Sequence, residues 1–266
     1  MKILFIGDIV GSPGRRIVKE RLADIVSSQK IDLVIANCEN AASGFGITPR
    51  LAEELLGCGI DVLSGGNHIF DRKEILDYLP HQPRLLRPAN YPPDAPGSGL
   101  FVGTTKSGVA YAALNVQGRV FMPAIDCPFR TVDRELARIP AETGAVIVDI
   151  HAEVTSEKQA MGWHLDGKVT GVVGTHTHVA TADERVLPGG TAFITDVGMT
   201  GPHDSIIGME KSAIIRRFFD SLPTRFEVAE KNLQMNCVLI ETDDARTLAT
   251  GRAAAKSIAR TRYLLD

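Results

Sequence analysis

Apolar runs that end in small polar clusters recur through this chain. Five such runs are typical of buried β-strands, and each is followed by Asp, Glu, Asn or His. The clusters are Gly7-Asp8, Cys38-Glu39-Asn40, Gly65-Gly66-Asn67-His68, Asp149-Ile150-His151 and Gly174-Thr175-His176-Thr177-His178. A stiff sheet fixes the distances between such side chains, and their oxygen and nitrogen atoms are metal ligands. The ordered set predicts a site for two metal ions about 3.5–4 Å apart, a device that cleaves phosphate esters.

The N-terminal part of the chain alternates between strand and helix patterns. Ile3 to Ile6, Leu33 to Ala36 and Val62-Leu63 are continuous apolar runs, as expected for strands that are covered on both faces. Apolar residues at helical spacing lie between them, and Thr48-Pro49 is typical of a helix start. This order predicts parallel strands with crossover helices, and polar clusters at the carboxyl edge of the sheet, where α/β proteins bind ligands.

The later part of the chain lacks this regular alternation of strand and helix patterns. A hairpin is expected around Lys106-Ser107-Gly108, and a helix is expected between Ile150 and Val169. The strands predicted here are Leu100 to Thr104, Val109 to Val116, Ala145 to Ile150, Val169 to Val173, Thr224 to Val228 and Asn236 to Ile240. Residues 245–266 give mixed signals and stay unassigned. No linker composition interrupts the chain, so residues 1–266 are expected to form a single α/β domain with two sheets.

Composition limits the binding partners and the cellular compartment that we expect for this protein. The chain has 266 residues, is 44% hydrophobic and carries a net charge of −3, with no basic run that would favour binding to duplex nucleic acid. Its four cysteines form no CxxC pair, which indicates reduced thiols. The apolar start, residues 1–6, is too short for a signal peptide, and no run reaches the roughly 20 residues of a membrane span. We therefore expect a cytoplasmic protein without membrane contact.

The first two clusters supply oxygen ligands. Asp8 follows a strand directly, where an aspartate is also common as a turn or N-cap residue. The glycines around it do not form the G-x-G-x-x-G pattern of a dinucleotide site. Glu39 offers two carboxylate oxygens, one for each of two metals, and Asn40 adds an amide oxygen; in isolation both also suit a loop.

The last three clusters add nitrogen ligands. Glycines before Asn67 let the backbone approach a metal, and His68 would sit beside the metals to protonate a leaving oxygen or hold the phosphate. His151 alone would more often be a core residue. His176 and His178, two positions apart on a segment expected to be extended, would point the same way and reach one metal centre.

In this order the motifs resemble those of the calcineurin-like metallophosphoesterases: a strand-end Asp, a bridging acid, G-N-H, a later His and a G-H-x-H-like motif. The first motif lacks a histidine at Val10, and the bridging acid is Glu39 after cysteine. These departures, together with residues 39–48 and 196–202, resemble the YmdB-type subfamily, described as bacterial phosphodiesterases of cyclic nucleotides. The resemblance implies an α/β/β/α sandwich of two sheets flanked by helices.

The resemblance also implies the ligand sets and the chemistry. One metal would be held by Asp8, Glu39, Asn40 and His178, and the other by Glu39, Asn67, His151 and His176. These oxygen and nitrogen ligands without thiolate suit Mn or Fe, with Zn as the alternative. The expected reaction is in-line attack of a metal-bound hydroxide on the phosphorus of a small, cyclic nucleotide, with His68 as the catalytic residue.

Two alternatives stay open at this stage. A phosphomonoesterase, such as a nucleotidase, would use the same metals, because the surrounding loops select the substrate. A metal-binding regulator with little catalysis is kept open by the missing histidine at Val10. The resemblance alone implies a homo-oligomer, and we assign no role to Trp163, His164 and His203.

Overall fold

A computed structural model describes residues 1–265, apart from the side chain of residue 244. The apolar runs form the central strands of two β-sheets, with strands β1 (Lys2–Ile6), β2 (Leu33–Asn37), β3 (Val62–Ser64), β4 (Leu85–Leu86), β5 (Leu100–Thr104), β6 (Ala110–Gln117), β7 (Ala145–His151), β8 (Gly171–Thr175), β9 (Arg185–Val186), β10 (Ala192–Ile194), β11 (Thr200–Pro202), β12 (Leu233–Thr247) and β13 (Ala253–Leu265). The helices in the described residues are α1 (Gly11–Gln29), α2 (Pro49–Gly57), α3 (Ile75–Tyr78), α4 (Pro128–Leu136), α5 (Thr155–Leu165) and α6 (Lys211–Asp220).

The first sheet has the strand order β11-β12-β1-β2-β3-β4, with β13 paired to β12. The second has the order β5-β6-β7-β8-β10-β9. Strands β1 to β4 run parallel to one another, as do β6, β7, β8 and β10. The parallel centre of each sheet therefore gathers the carboxyl ends of its strands along one edge.

Strand alternation builds a four-layer sandwich. Ile3 and Phe5 of β1 pack against the second sheet, including Ile147, in one buried cluster between the sheets. The alternate residues, such as Leu4, pack under α1 and α2, and the outer face of the second sheet packs under α4 and α5. Because successive side chains point to opposite faces, each continuous apolar run fills two cores at once. The predicted α/β/β/α sandwich is confirmed.

The predicted helix start at Thr48-Pro49 is confirmed. The Thr48 hydroxyl accepts a hydrogen bond from the backbone N–H of Leu51 at 3.3 Å, and Pro49 opens α2, as predicted. The hairpin of β5 and β6 and the helix between β7 and β8 are also confirmed.

Two predictions about the C-terminal part need correction or completion. The predicted strand at Thr224 to Val228 is wrong: in the described residues its pairing is a single bridge between Val228 and Met209, because Met209 belongs to the loop between β11 and α6. The unassigned segment forms the end of β12 and all of β13, a long antiparallel pair; residue 266 lies outside the described residues. Within the described part of the chain, no helix combines the length and apolar character needed to cross a membrane.

Candidate metal centre

The polar clusters meet where the carboxyl ends of the two sheets come together. Strands β1, β2 and β3 deliver the first three clusters from one sheet, and β7 and β8 deliver the last two from the other. The structure brings together all seven predicted ligands, which are Asp8, Glu39, Asn40, Asn67, His151, His176 and His178. Four of them, Asp8, Glu39, Asn40 and His151, are almost completely buried.

Glu39 lies at the centre of this cluster. Its Oε1 is 3.0 Å from Nε2 of His151 and 3.2 Å from Nδ2 of Asn40. Its Oε2 accepts a hydrogen bond from the backbone N–H of His68 at 2.9 Å. One carboxylate therefore touches groups from both predicted ligand sets.

One half of the cluster surrounds His151. Nε2 of His151 lies 3.1 Å from Oδ1 of Asn67 and 3.1 Å from Nδ1 of His176. Ligand atoms of Glu39, His151 and His176 all lie within 4.8 Å of one another. This is a compact set of oxygen and nitrogen donors aimed at one small volume.

The other half surrounds Asp8. Its Oδ1 lies 4.0 Å from Nε2 of His178 and 4.0 Å from Nδ1 of His151. Nε2 of His178 is also 3.0 Å from Nδ2 of Asn40. The Oδ1 atom of Asp8 is buried without a hydrogen-bond partner, which is costly for a carboxylate oxygen unless a cation compensates it.

The backbone after β8 is not extended, and that part of the sequence prediction is wrong. His176 has φ 99° and His178 has φ 67°, so both lie in a bend that begins where β8 ends at Thr175. Positive φ is uncommon outside glycine and marks a conformation that the surroundings impose. The bend, rather than the period of a strand, directs the two imidazoles towards the cluster.

Gly66 is required by the packing of the cluster. A Cβ atom at this position would lie 2.3 Å from Oε2 of Glu39 and 2.3 Å from Nε2 of His151. The missing side chain lets the backbone pass directly beside these two groups.

Burial and charge set the protonation states. Burial raises the pKa of Asp8, and the nearby histidines oppose that shift. Burial also disfavours ionisation of Glu39, but the charge of His151 and its hydrogen bond lower the pKa of Glu39 to about 2. Burial alone would lower the pKa of His151, yet Glu39 raises it to about 9. Burial and the charge of His151 together lower the pKa of His176 to about 3, which leaves this imidazole neutral near pH 7.

His68 stands at the rim of the cluster, half-buried. Its Nδ1 is 2.7 Å from Oδ2 of Asp71, and its ring meets the edge of Phe45 with centroids 5.1 Å apart. The contact with Asp71 occupies one ring nitrogen and leaves Nε2 for another partner.

Three acidic residues, Asp149, Asp196 and Glu153, contact the cluster, and the sequence assigns no role to any of them. Asp149 is buried and accepts hydrogen bonds from the hydroxyls of Ser64 at 2.6 Å and Thr175 at 2.7 Å; burial raises its pKa to about 6. Its position in the same strand as His151, two residues earlier, was the one sequence signal that pointed to it.

Asp196 and Glu153 act from outside the strands that carry the ligands. Asp196 pairs with the fully buried Lys158 at 2.6 Å and accepts hydrogen bonds from the backbone N–H and the hydroxyl of Thr177, between the two histidines of the bend. Glu153 Oε2 lies 3.1 Å from Nε2 of His176. Neither contact leaves a pattern in the sequence.

The chain is similar to proteins of known family. The family model described as YmdB-like protein matches residues 4–254. A Bacillus subtilis (strain 168) protein named 2',3'-cyclic-nucleotide 2'-phosphodiesterase is 49% identical over 244 residues, which cover 92% of each chain. A solved structure from Thermus thermophilus has a TM-score of 0.91 at 39% identity, covering 100% of both chains. One described as a novel phosphatase from Mycoplasma pneumoniae has a TM-score of 0.90 at 34% identity, covering 100% of this chain and 94% of that one.

Proposed function

The chain belongs to the YmdB-like family, and we propose that it is a two-metal phosphodiesterase that opens the cyclic phosphate of small nucleotides. The chain is a hydrolase that acts on phosphoester bonds. The finer substrate rests on the name of the Bacillus subtilis relative, a 2',3'-cyclic-nucleotide 2'-phosphodiesterase.

The observation that carries the proposal is the position of Glu39. Its Oε1 lies within 3.2 Å of both His151 and Asn40, so a single carboxylate joins the two halves of the cluster. A carboxylate in this position could bridge two cations about 3.5–4 Å apart, the spacing of two-metal catalytic sites.

The donors fit two divalent cations. One would be held by Asp8, Glu39, Asn40 and His178, and the other by Glu39, Asn67, His151 and His176. A cation would satisfy the unpartnered Oδ1 of Asp8, and His176 is already neutral, as a ligand must be. His151 would give up its proton on binding, so a cation would replace the positive charge that now faces Glu39.

The absence of any thiolate among these ligands favours Mn or Fe, with Zn as the alternative. Bound ions would supply Lewis acidity and an excess of positive charge that favours a phosphodiester anion.

The protein's own residues orient the substrate and move a proton. The carboxylate of Asp71 accepts a hydrogen bond from Nδ1 of His68, a residue that lines the cleft, and Nε2 of the ring is left for the substrate. There His68 can donate a proton to the leaving oxygen of the ester. The carboxylate of Glu39 accepts a hydrogen bond from the backbone N–H of His68, which fixes the position of the proton donor relative to the metal cluster.

The proposal is tested by the choice of substrate and the identity of the product. Metal-loaded protein should hydrolyse 2',3'-cyclic AMP to the 3'-phosphate, and should hydrolyse bis(p-nitrophenyl) phosphate faster than p-nitrophenyl phosphate. Faster turnover of the monoester would instead favour the phosphomonoesterase alternative, which the phosphatase description of the Mycoplasma pneumoniae structure supports.

A further inference from the structure

The cleft over the metal cluster has two chemically different parts. A cavity of about 340 Å³ opens there, within the size range of small-molecule sites. Its polar part is formed by the metal cluster, His68 and Glu153. Its apolar part is formed by Phe45, Ile207, Met209, Ile214 and Phe226. The proposed phosphodiesterase reaction uses only the polar part.

Phe45 is held in a fixed position at this cleft. It lies between two glycines with positive φ, Gly44 at 91° and Gly46 at 74°. Its carbonyl accepts a hydrogen bond from Nε of Arg72 at 3.0 Å, and its ring edge contacts His68. The half-buried ring therefore forms a fixed wall directly beside the proposed proton donor.

Phe226 provides a second aromatic wall. Its ring is half-buried, and the guanidinium carbon of Arg217, on α6, lies 5.1 Å from its centroid. A backbone hydrogen bond of 2.9 Å from Glu210 to the carbonyl of Glu227 ties this segment to the start of α6. A cation over an aromatic ring is a favourable contact that restricts the ring.

Ile207 links the apolar wall to the metal cluster. Its carbonyl accepts a hydrogen bond from Nδ1 of His178 at 2.9 Å, and the residue lines the cavity and is 52% exposed. Its φ of 47° is a strained value for a β-branched residue. Strain of this kind is found where a site needs one particular backbone geometry.

We propose that Phe45, Phe226 and the aliphatic side chains beside them form a nucleobase subsite. The inference rests on the proposed function, because the phosphate of the same ligand would occupy the polar part. An aromatic base has the flat apolar surface that these walls match, and one stacked base contributes about 5- to 150-fold in affinity. The walls offer rings and aliphatic groups in place of hydrogen-bonding side chains, so purine and pyrimidine nucleotides should bind with similar affinity.

The test compares ligands with and without a base. Calorimetry measures binding of 3'-AMP to Mn-loaded protein, and kinetics compare 2',3'-cyclic AMP with glycerol 1,2-cyclic phosphate, a cyclic diester without a base. Phe226→Ala should weaken 3'-AMP binding and raise KM for the cyclic nucleotide about tenfold, with kcat and the base-free reaction unchanged. Phe226→Tyr should restore both values. Phe219→Ala, on α6 and 88% exposed, is the matched control.

The outcomes separate the subsite from the proposed function. Unchanged 3'-AMP binding in both Phe226→Ala and Phe45→Ala would overturn the subsite, as would equal losses with and without a base. If wild-type protein hydrolyses neither diester but Phe226→Ala still weakens 3'-AMP binding, the subsite stands and the phosphodiesterase proposal fails. A metal count for each variant establishes that the cluster is intact.

Discussion

Oε1 of Glu39 lies 3.0 Å from Nε2 of His151, although one residue follows β2 of the first sheet and the other ends β7 of the second. Glu39→Gln removes the charge that would join two cations at this point. We expect the variant to lose joint binding of two metals and more than about a hundredfold in turnover, because even groups that only support ligands contribute about 10- to 100-fold. Metal analysis and diester kinetics measure both effects.

The control for that prediction is Glu20→Gln, at an exposed ion pair with Arg16 on α1. It should bind metal and turn over like wild type. A Glu39→Gln protein that kept two ions and full turnover would show that Glu39 does not bridge them.

His68 should affect turnover without affecting metal content. We expect His68→Ala to lower kcat by about 10²–10⁴-fold, the usual contribution of a general acid. Asp71→Asn should cause a smaller loss, since Asp71 acts only through its contact with the ring. The exposed His81 provides the control variant His81→Ala. Loss of metal in His68→Ala would make His68 a ligand or a structural residue instead.

Glu153 should tune metal affinity through His176. Its carboxylate lies 3.1 Å from Nε2 of His176, the ring nitrogen opposite the one that faces His151. Removing such an orienting partner costs about tenfold or more in affinity. Glu153→Ala should therefore bind Mn more weakly than wild type in a titration, and Glu153→Gln should show a smaller loss of affinity. The control variant Glu142→Gln, at the surface, should bind Mn as tightly as wild type. Equal affinities across the series would remove Glu153 from the site.

Lys158 should matter for stability. Its Nζ is 2.6 Å from Oδ2 of Asp196, and both side chains are fully buried. Lys158→Ala leaves Asp196 as an unpaired buried charge, so the free energy of unfolding should fall by about 3–5 kcal/mol. Lys168→Ala, at an exposed pair 3.9 Å from Asp133, should change it by less than about 1 kcal/mol. Denaturant unfolding of the two variants makes the comparison, and equal values would contradict it.

The sequence predicts the place of the metal cluster because its strands are buried on both faces. Continuous apolar runs end at residues such as Ile6 and Ala36, and parallel pairing then collects the polar residues after them along one edge. The meeting of the edges of two different sheets depends on tertiary packing. The local sequence before His151 does not indicate that this residue faces Glu39 from another sheet.

Other parts depend on contacts that leave no local pattern. The segment before Tyr263 is rich in Ala and Arg, which favour helix, yet it pairs with β12 as a strand because tertiary context overrides propensity. The bend at His176 and His178 is imposed by contacts such as Asp196 with Thr177. A buried Lys158 within α5 likewise becomes intelligible only once Asp196 is found opposite it.

The most direct test of the two-metal site counts metal and activity together. Protein stripped with a chelator is titrated with Mn, and bound ions per chain and turnover of 2',3'-cyclic AMP are measured on the same samples. We predict saturation at two ions per chain, with turnover that rises as the second ion binds. Full turnover by stripped protein, or saturation below two ions with full turnover, would contradict the two-metal site.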